Sequence, residues 1–268
     1  MNNLIPRLIR WTLTGSLLSV CATAHAELQT REIDYQVGGE TFTGYLAYDS
    51  EVSGPRPGVL IVHEWWGHGE YVRQRADMLA RLGYAAFALD MYGSDKYADH
   101  PSQANEFMQA VMSDREAAKA RFTEALSVLR EQPMVAPDDI AALGYCFGGA
   151  VVLNMARAGV DLDGVVSYHG MLATDSPAQP GEVKAAVRVF NGEADPMVPA
   201  EQVADFEAEM TRANVDYEVV NYPGAKHGFT NPEASELGRR FELPLAYDAS
   251  ADADSWHKTQ QFLEALFR

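Results

Sequence analysis

Cysteine is nearly absent from this chain: Cys21 and Cys146 are the two among 268 residues. Cys21 falls within residues 1–26, which read as a secretory signal. Arg7 and Arg10 precede a mainly apolar run over residues 11–22, and Ala24-His25-Ala26 fits the small-x-small rule for cleavage before Glu27. Loss of that segment leaves Cys146 alone and rules out an intramolecular disulfide, in a protein expected in the periplasm or outside the cell. A solitary thiol kept in an oxidising compartment points to chemistry more than to packing. Basic residues are scarce as well, 21 Lys and Arg against 38 Asp and Glu, for a formal charge of -17. So acidic a surface repels phosphate backbones and anionic lipid, which speaks against nucleic acid as a partner. No later stretch approaches the roughly 20 apolar residues that a membrane span needs, so membrane insertion is not expected. Internal repeats, low-complexity tracts and linkers are lacking too. Residues 27–268, with 47% apolar composition over the whole chain, are therefore read as one domain with a full core, expected to be a monomer.

What is present is a regular alternation. Residues 31–37 and 41–47 are β-rich and separated by Gly38-Gly39, the signature of an antiparallel hairpin. The continuous apolar run at 58–63 then has the character of a strand buried on both faces. A helical stretch at 71–82 and a second apolar strand at 84–89 complete a βαβ unit. The pattern continues with a helical stretch at 103–131, a strand at 140–145, a helix at 148–158 and strands at 164–168 and 186–190. A helix at 201–213, a strand at 217–222 and a terminal helix at 255–267 close the series. Such alternation implies an α/β protein with a mostly parallel central sheet and helices on both faces. The segments 171–182 and 228–253 read as surface or active-site loops.

The most informative motif is Gly144-Tyr145-Cys146-Phe147-Gly148-Gly149, set between apolar residues 140–143 and 150–153. Glycines two before and two after the cysteine suit a sharp strand-to-helix turn that lifts one side chain clear of the sheet. This is the nucleophile turn of the α/β-hydrolase fold. At a helix N-terminus the macrodipole and free N–H groups favour a thiolate and a developing oxyanion. A nucleophile there needs a base and an acid that orients the base, in the chain order nucleophile, acid, histidine. Asp195, in Asn191-Gly192-Glu193-Ala194-Asp195-Pro196, directly follows the strand at 186–190, and His227 follows the strand at 217–222. Both strands open on the C-terminal sheet edge where ligands bind, so Cys146, His227 and Asp195 are expected to converge. Glu193 is the rival acid.

A fourth feature is Glu64 in His63-Glu64-Trp65-Trp66-Gly67, at the tip of the first parallel strand. The backbone N–H groups of Trp65 and Phe147 are the expected oxyanion donors. Trp66, Tyr145, Phe229 and Asn231 are expected to line the substrate pocket. A zinc site is not expected, because His63-Glu64-x-x-x-His68 is one residue too long for H-E-x-x-H and His63 falls on a strand.

These residues resemble the dienelactone hydrolases, or carboxymethylenebutenolidases. The likeness runs through His63-Glu64-Trp65-Trp66-Gly67, the stretch from Gly83-Tyr84 to Asp90-Met91-Tyr92-Gly93, the cysteine motif, Asn191-Gly192-x-x-Asp195 and His227-Gly228-Phe229. The resemblance implies Cys146 as nucleophile, His227 as base, Asp195 as its orienter, and Glu64 as the family's buried glutamate. That glutamate is linked to keeping the thiol protonated at rest and to helping deprotonate it once substrate binds. The expected activity is hydrolysis of a small-molecule ester or lactone, with no cofactor required. A thioesterase or acyl transferase would use the same machinery, and a non-catalytic ligand-binding protein is the reading from another class. One departure bears on substrate charge. The family grips a carboxylate with arginines, one of them four residues beyond the histidine, where this chain has Asn231. Arg115, Arg239 and Arg240 are the candidate replacements, and neutral substrates are expected to be cleaved at least as well as dienelactone.

Overall fold

The structure, a computed structural model, describes residues 27–268; the signal segment read over 1–26 lies outside them. The hairpin forms as β1 (Leu28–Val37) and β2 (Glu40–Asp49), with Gly38 and Gly39 at φ 59° and 87°. Two successive positive φ values make the tight turn whose twist matches that of the strands it joins, and glycine adopts them without a Cβ clash.

Six further strands complete one sheet: β3 (Arg56–Val62), β4 (Ala85–Leu89), β5 (Val135–Tyr145), β6 (Gly164–Tyr168), β7 (Ala186–Gly192) and β8 (Tyr217–Tyr222). Their order is β1-β2-β4-β3-β5-β6-β7-β8, parallel throughout except for the antiparallel β1–β2 and β2–β4 pairs. The strand order reverses direction around β3, and the C-terminal ends of β3, β5, β6, β7 and β8 share one edge.

Strand alternation divides the core in two. Leu60, Val62, Phe87, Ala142, Val165 and Val189 face one side, against α3 (Arg115–Arg130), α4 (Phe147–Arg157) and α5 (Ala200–Arg212). Val59, Ile61, Ala86, Ala88, Leu143 and Val166 face the other, against α1 (Glu70–Arg81) and α7 (Ala249–Leu266). Burying each Val, Leu, Ile or Phe contributes roughly 1.5–3 kcal/mol, so neither face of the sheet is stable without its helices.

Three expectations need correction. The helical stretch read over 103–131 is two helices, α2 (Pro101–Met112) and α3, because Asp114 leaves the helix and accepts from Ala117 N–H at 3.0 Å as the cap of α3. The loop read over 228–253 contains α6 (Ala234–Phe241), ended by Glu242 in the left-handed region, and the first turn of α7. Strand β5 begins at Val135, ahead of the apolar run, with a register shift opposite Pro57/Gly58. No helix among the described residues is long and apolar enough to cross a membrane.

Candidate active site

The turn from β5 into α4 is built by steric exclusion. A Cβ on Gly144 would overlap the Gly148 carbonyl, and one on Gly148 would overlap the Val62 carbonyl. The strand therefore passes under the helix at backbone contact. Cys146 adopts φ 55°, ψ -114°, a conformation that costs a non-glycine residue on the order of 1–3 kcal/mol and persists only when its surroundings impose it. Two hydrogen bonds do so: Cys146 N–H donates to Tyr168 O at 3.0 Å and Gly148 N–H to His63 O at 3.1 Å. The thiol is left partly exposed at the N-terminus of α4.

The acid and the histidine meet because the ends of β7 and β8 pack tightly. A Cβ on Gly192 would sit 2.5 Å from Ala225 O. Glu193 N–H donates to Tyr222 O and Ala194 N–H to Ala225 O, both at 3.0 Å, which ties the two loops together. Asp195 is buried, and its Oδ1 accepts from Met197 N–H at 2.8 Å while Oδ2 accepts from His227 Nδ1 at 2.7 Å. Glu193, the rival acid, is exposed. With Nδ1 committed to the carboxylate, the buried Nε2 of His227 has no hydrogen-bond partner among the described residues. Burial alone would push the imidazole pKa down. The negative charge of an ionised Cys146 and the bond to Asp195 outweigh it and hold His227 well above its usual range. Nε2 makes no hydrogen bond of ordinary geometry to the sulfur, yet the sulfur is near enough to act on the imidazole both by charge and as a hydrogen-bond partner. Such a trio can move a proton from sulfur to nitrogen while the carboxylate stabilises the resulting imidazolium.

Glu64 lies buried at the end of β3, where its Oε2 accepts from Asn231 Nδ2 at 2.6 Å. Burial raises its carboxyl to about 7, against the opposing pull of Asn231, His227 and Arg75. The Trp65 and Phe147 N–H groups donate to no acceptor among the described residues, and the Gly148–His63 bond brings their two turns together. Neither histidine of the apparent zinc motif is free for an ion. His63 contacts Glu64 O through Nδ1 at 2.6 Å and the Met91 N–H through Nε2 at 3.1 Å, and His68 Nε2 contacts Ala88 O at 3.0 Å. Among the described residues no three His, Cys, Asp or Glu are placed to share a metal.

A cavity of about 380 Å³ opens beside Glu64, with Trp66, Tyr71, Tyr97, Asn231 and Arg240 in its wall. Trp66 and Asn231 line this cavity, whereas Cys146, His227, Tyr145 and Phe229 do not. Tyr145 is fully buried behind Tyr71 of the cavity wall, their rings 5.3 Å apart, stacked 4.6 Å from Tyr168 and under the Arg75 guanidinium. Phe229 is fully buried against Tyr222 and His169. Both are core residues behind the site. Of the candidate cations, Arg115 is paired with Asp175 and Arg239 with Glu236; Arg240 alone of the three joins the cavity wall, stacked on Phe241.

The sequence reading missed His169, fully buried with φ 41° directly after β6, its ring 5.2 Å from that of His227. The available signal was a polar residue closing the apolar run of β6 at the ligand-binding edge, in Tyr168-His169-Gly170.

The model of the dienelactone hydrolase family matches residues 42–267. Among solved structures, a dienelactone hydrolase-like promiscuous phosphotriesterase from metagenomic libraries superposes with a TM-score of 0.83 at 35% identity, covering 91% of this chain and 100% of that one. Among curated relatives, Protein usf of Aquifex pyrophilus is 27% identical, covering 87% of this chain and 96% of its own length. A putative carboxymethylenebutenolidase of Synechocystis is 26% identical over 82% of this chain and 90% of its own.

Proposed function

Since this chain belongs to the dienelactone hydrolase family, we propose that it cleaves a small neutral ester or lactone through Cys146, His227 and Asp195. The observation that carries this reading is the His227 imidazole, bonded to Asp195 at 2.7 Å on one nitrogen and buried without a partner on the other, beside a strained cysteine. His227 Nε2 takes the thiol proton, and the thiolate adds to the substrate carbonyl. The oxygen that becomes negative is met by the Trp65 and Phe147 N–H groups. His227 then returns the proton to the departing alkoxide, leaving a thioester on Cys146. Water, deprotonated by His227, adds to that thioester, and collapse of the adduct releases the acid and the thiol.

Glu64 fits the role that the family resemblance assigns it. With a carboxyl near 7 it is neither fully charged nor fully neutral at neutral pH, and in its charged form, reached when a ligand disturbs its bond to Asn231, it favours the protonated His227 that forms when the thiol proton moves. Asn231 supplies an amide where a bidentate cation would be needed to grip a carboxylate. The cavity wall carries Glu64, Glu70, Asp99 and Glu233 against Arg240, which also disfavours an anionic substrate. The reading extends to export of the mature chain from Glu27, supported by the Arg-flanked apolar run, and N-terminal sequencing of exported protein should return Glu27 rather than Met1.

The test is kcat/KM for dienelactone against its neutral methyl ester, with wild type and Cys146→Ala in parallel. Turnover confined to wild type, with the neutral ester at least as good, supports the reading. Turnover in Cys146→Ala overturns the mechanism. A carboxylate preference lost in Arg240→Ala overturns the substrate class.

A further inference from the structure

We propose that His169 is a positioning residue for the base: through Thr230 it locks the loop that carries both His227 and Asn231. The inference rests on the triad reading above and adds to it a buried chain of hydrogen bonds that the triad does not use.

The chain begins at Arg75, a guanidinium that can only donate. Its Nε donates to Tyr71 Oη at 3.2 Å. Tyr71 and Thr230 Oγ1 lie 2.7 Å apart, and Thr230 Oγ1 and His169 Nε2 lie 2.8 Å apart. Arg75 can only donate, and the assignment in which Tyr71 donates to Thr230 and Thr230 to His169 Nε2 gives every hydroxyl proton of the chain an acceptor. In that assignment the ring proton sits on Nδ1, which is buried without a partner. The arrangement requires a neutral imidazole. Burial, then the charges of His227 and Arg75, hold His169 well below its usual range, so it does not compete with His227 for the thiol proton.

Thr230 is fully buried and held twice, since Arg75 Nη2 also donates to its carbonyl at 2.7 Å and to Asp252 Oδ1 at 2.6 Å. It lies between His227 and Asn231 in the chain, the residues that face Cys146 and Glu64. Tyr71, at the start of α1, is also in the wall of the cavity beside Glu64, so the clamp joins that wall to the loop of the base. An error of about 1 Å in a catalytic group lowers turnover by about 100-fold.

Thr230→Val keeps the branched shape and deletes the hydroxyl; Thr230→Ser keeps the hydroxyl; His169→Phe fills the ring volume without an acceptor. Assayed well below their unfolding temperatures on an ester that wild type hydrolyses, Thr230→Val and His169→Phe should each lower kcat by about 10- to 100-fold with KM little changed. The double variant should be no worse than either single one, and Thr230→Ser should recover most of the loss. Wild-type kcat in Thr230→Val, or an equal loss in Thr230→Ser, overturns the inference. Should His169→Phe fail to fold, the Thr230 pair decides alone. Cys146→Ala, included in the series, separates the two levels: its inactivity beside a fully active Thr230→Val sinks only the clamp, whereas its activity sinks the triad.

Discussion

At the scale of single residues the site depends on what is missing from a side chain. Gly148 approaches the Val62 carbonyl so closely that any Cβ overlaps it, and the overlapped atoms are backbone of a central strand that cannot move aside. Gly148→Ala is therefore expected to abolish activity and to lower the unfolding temperature, whereas a surface alanine substitution would do neither; an active, equally stable Gly148→Ala would contradict the packing argument. That Cys146, Asp195 and His227 stand at one sheet edge was legible in the sequence, because each follows closely on a strand and chain order alone assigns those strand ends to that edge. Tyr145 was misread as pocket-lining for a reason equally physical. Tyr145 is fully buried behind the cavity wall, its ring 5.3 Å from that of Tyr71 and stacked on Tyr168, and the sequence does not show that Tyr71 of α1 stands between it and the cavity. His169 went unread because its partner Thr230 is remote in the chain and no spacing rule links them.

At the scale of elements, strands were legible to within a few residues, since their apolar runs are long and end at the sheet edge. The helix break at Asp114 and the short α6 were not, because caps and left-handed terminators carry little periodicity. One element interaction has a measurable consequence. Arg157, near the end of α4, is held by Glu209 of α5 through two bonds of 2.8 Å, and both are buried. The same pair fastens the segment after β6: Arg157 Nη2 donates to Leu172 O at 2.8 Å and Ala178 N–H to Glu209 Oε1 at 2.7 Å. Glu209→Ala leaves a buried guanidinium uncompensated, which costs about 3–5 kcal/mol. Denaturant unfolding should register that loss, together with faster proteolysis within residues 171–182. A change below about 1 kcal/mol would mean that water reaches Arg157.

At the scale of the whole molecule, Glu64 links the site to stability. Its carboxyl ordinarily titrates near 4.5 and is pushed up to about 7 by burial, so the folded state binds the proton more tightly than the unfolded chain. The stability it contributes is complete below about pH 4.5 and is lost as pH rises through 7, on the order of 3 kcal/mol. Glu64→Gln cannot titrate. The difference between wild-type and Glu64→Gln unfolding free energies should therefore swing towards the variant between pH 4.5 and 7.5, and a difference that stays flat would contradict the burial of an ionisable carboxyl there.

The central claim, a covalent route through Cys146, has one direct measurement: rapid-quench mass spectrometry of the purified protein mixed with p-nitrophenyl acetate. The account predicts an acetyl group on the Cys146 peptide that appears with the first turnover, persists in steady state and decays at the rate of acid release. Turnover with Cys146 unmodified throughout would contradict it.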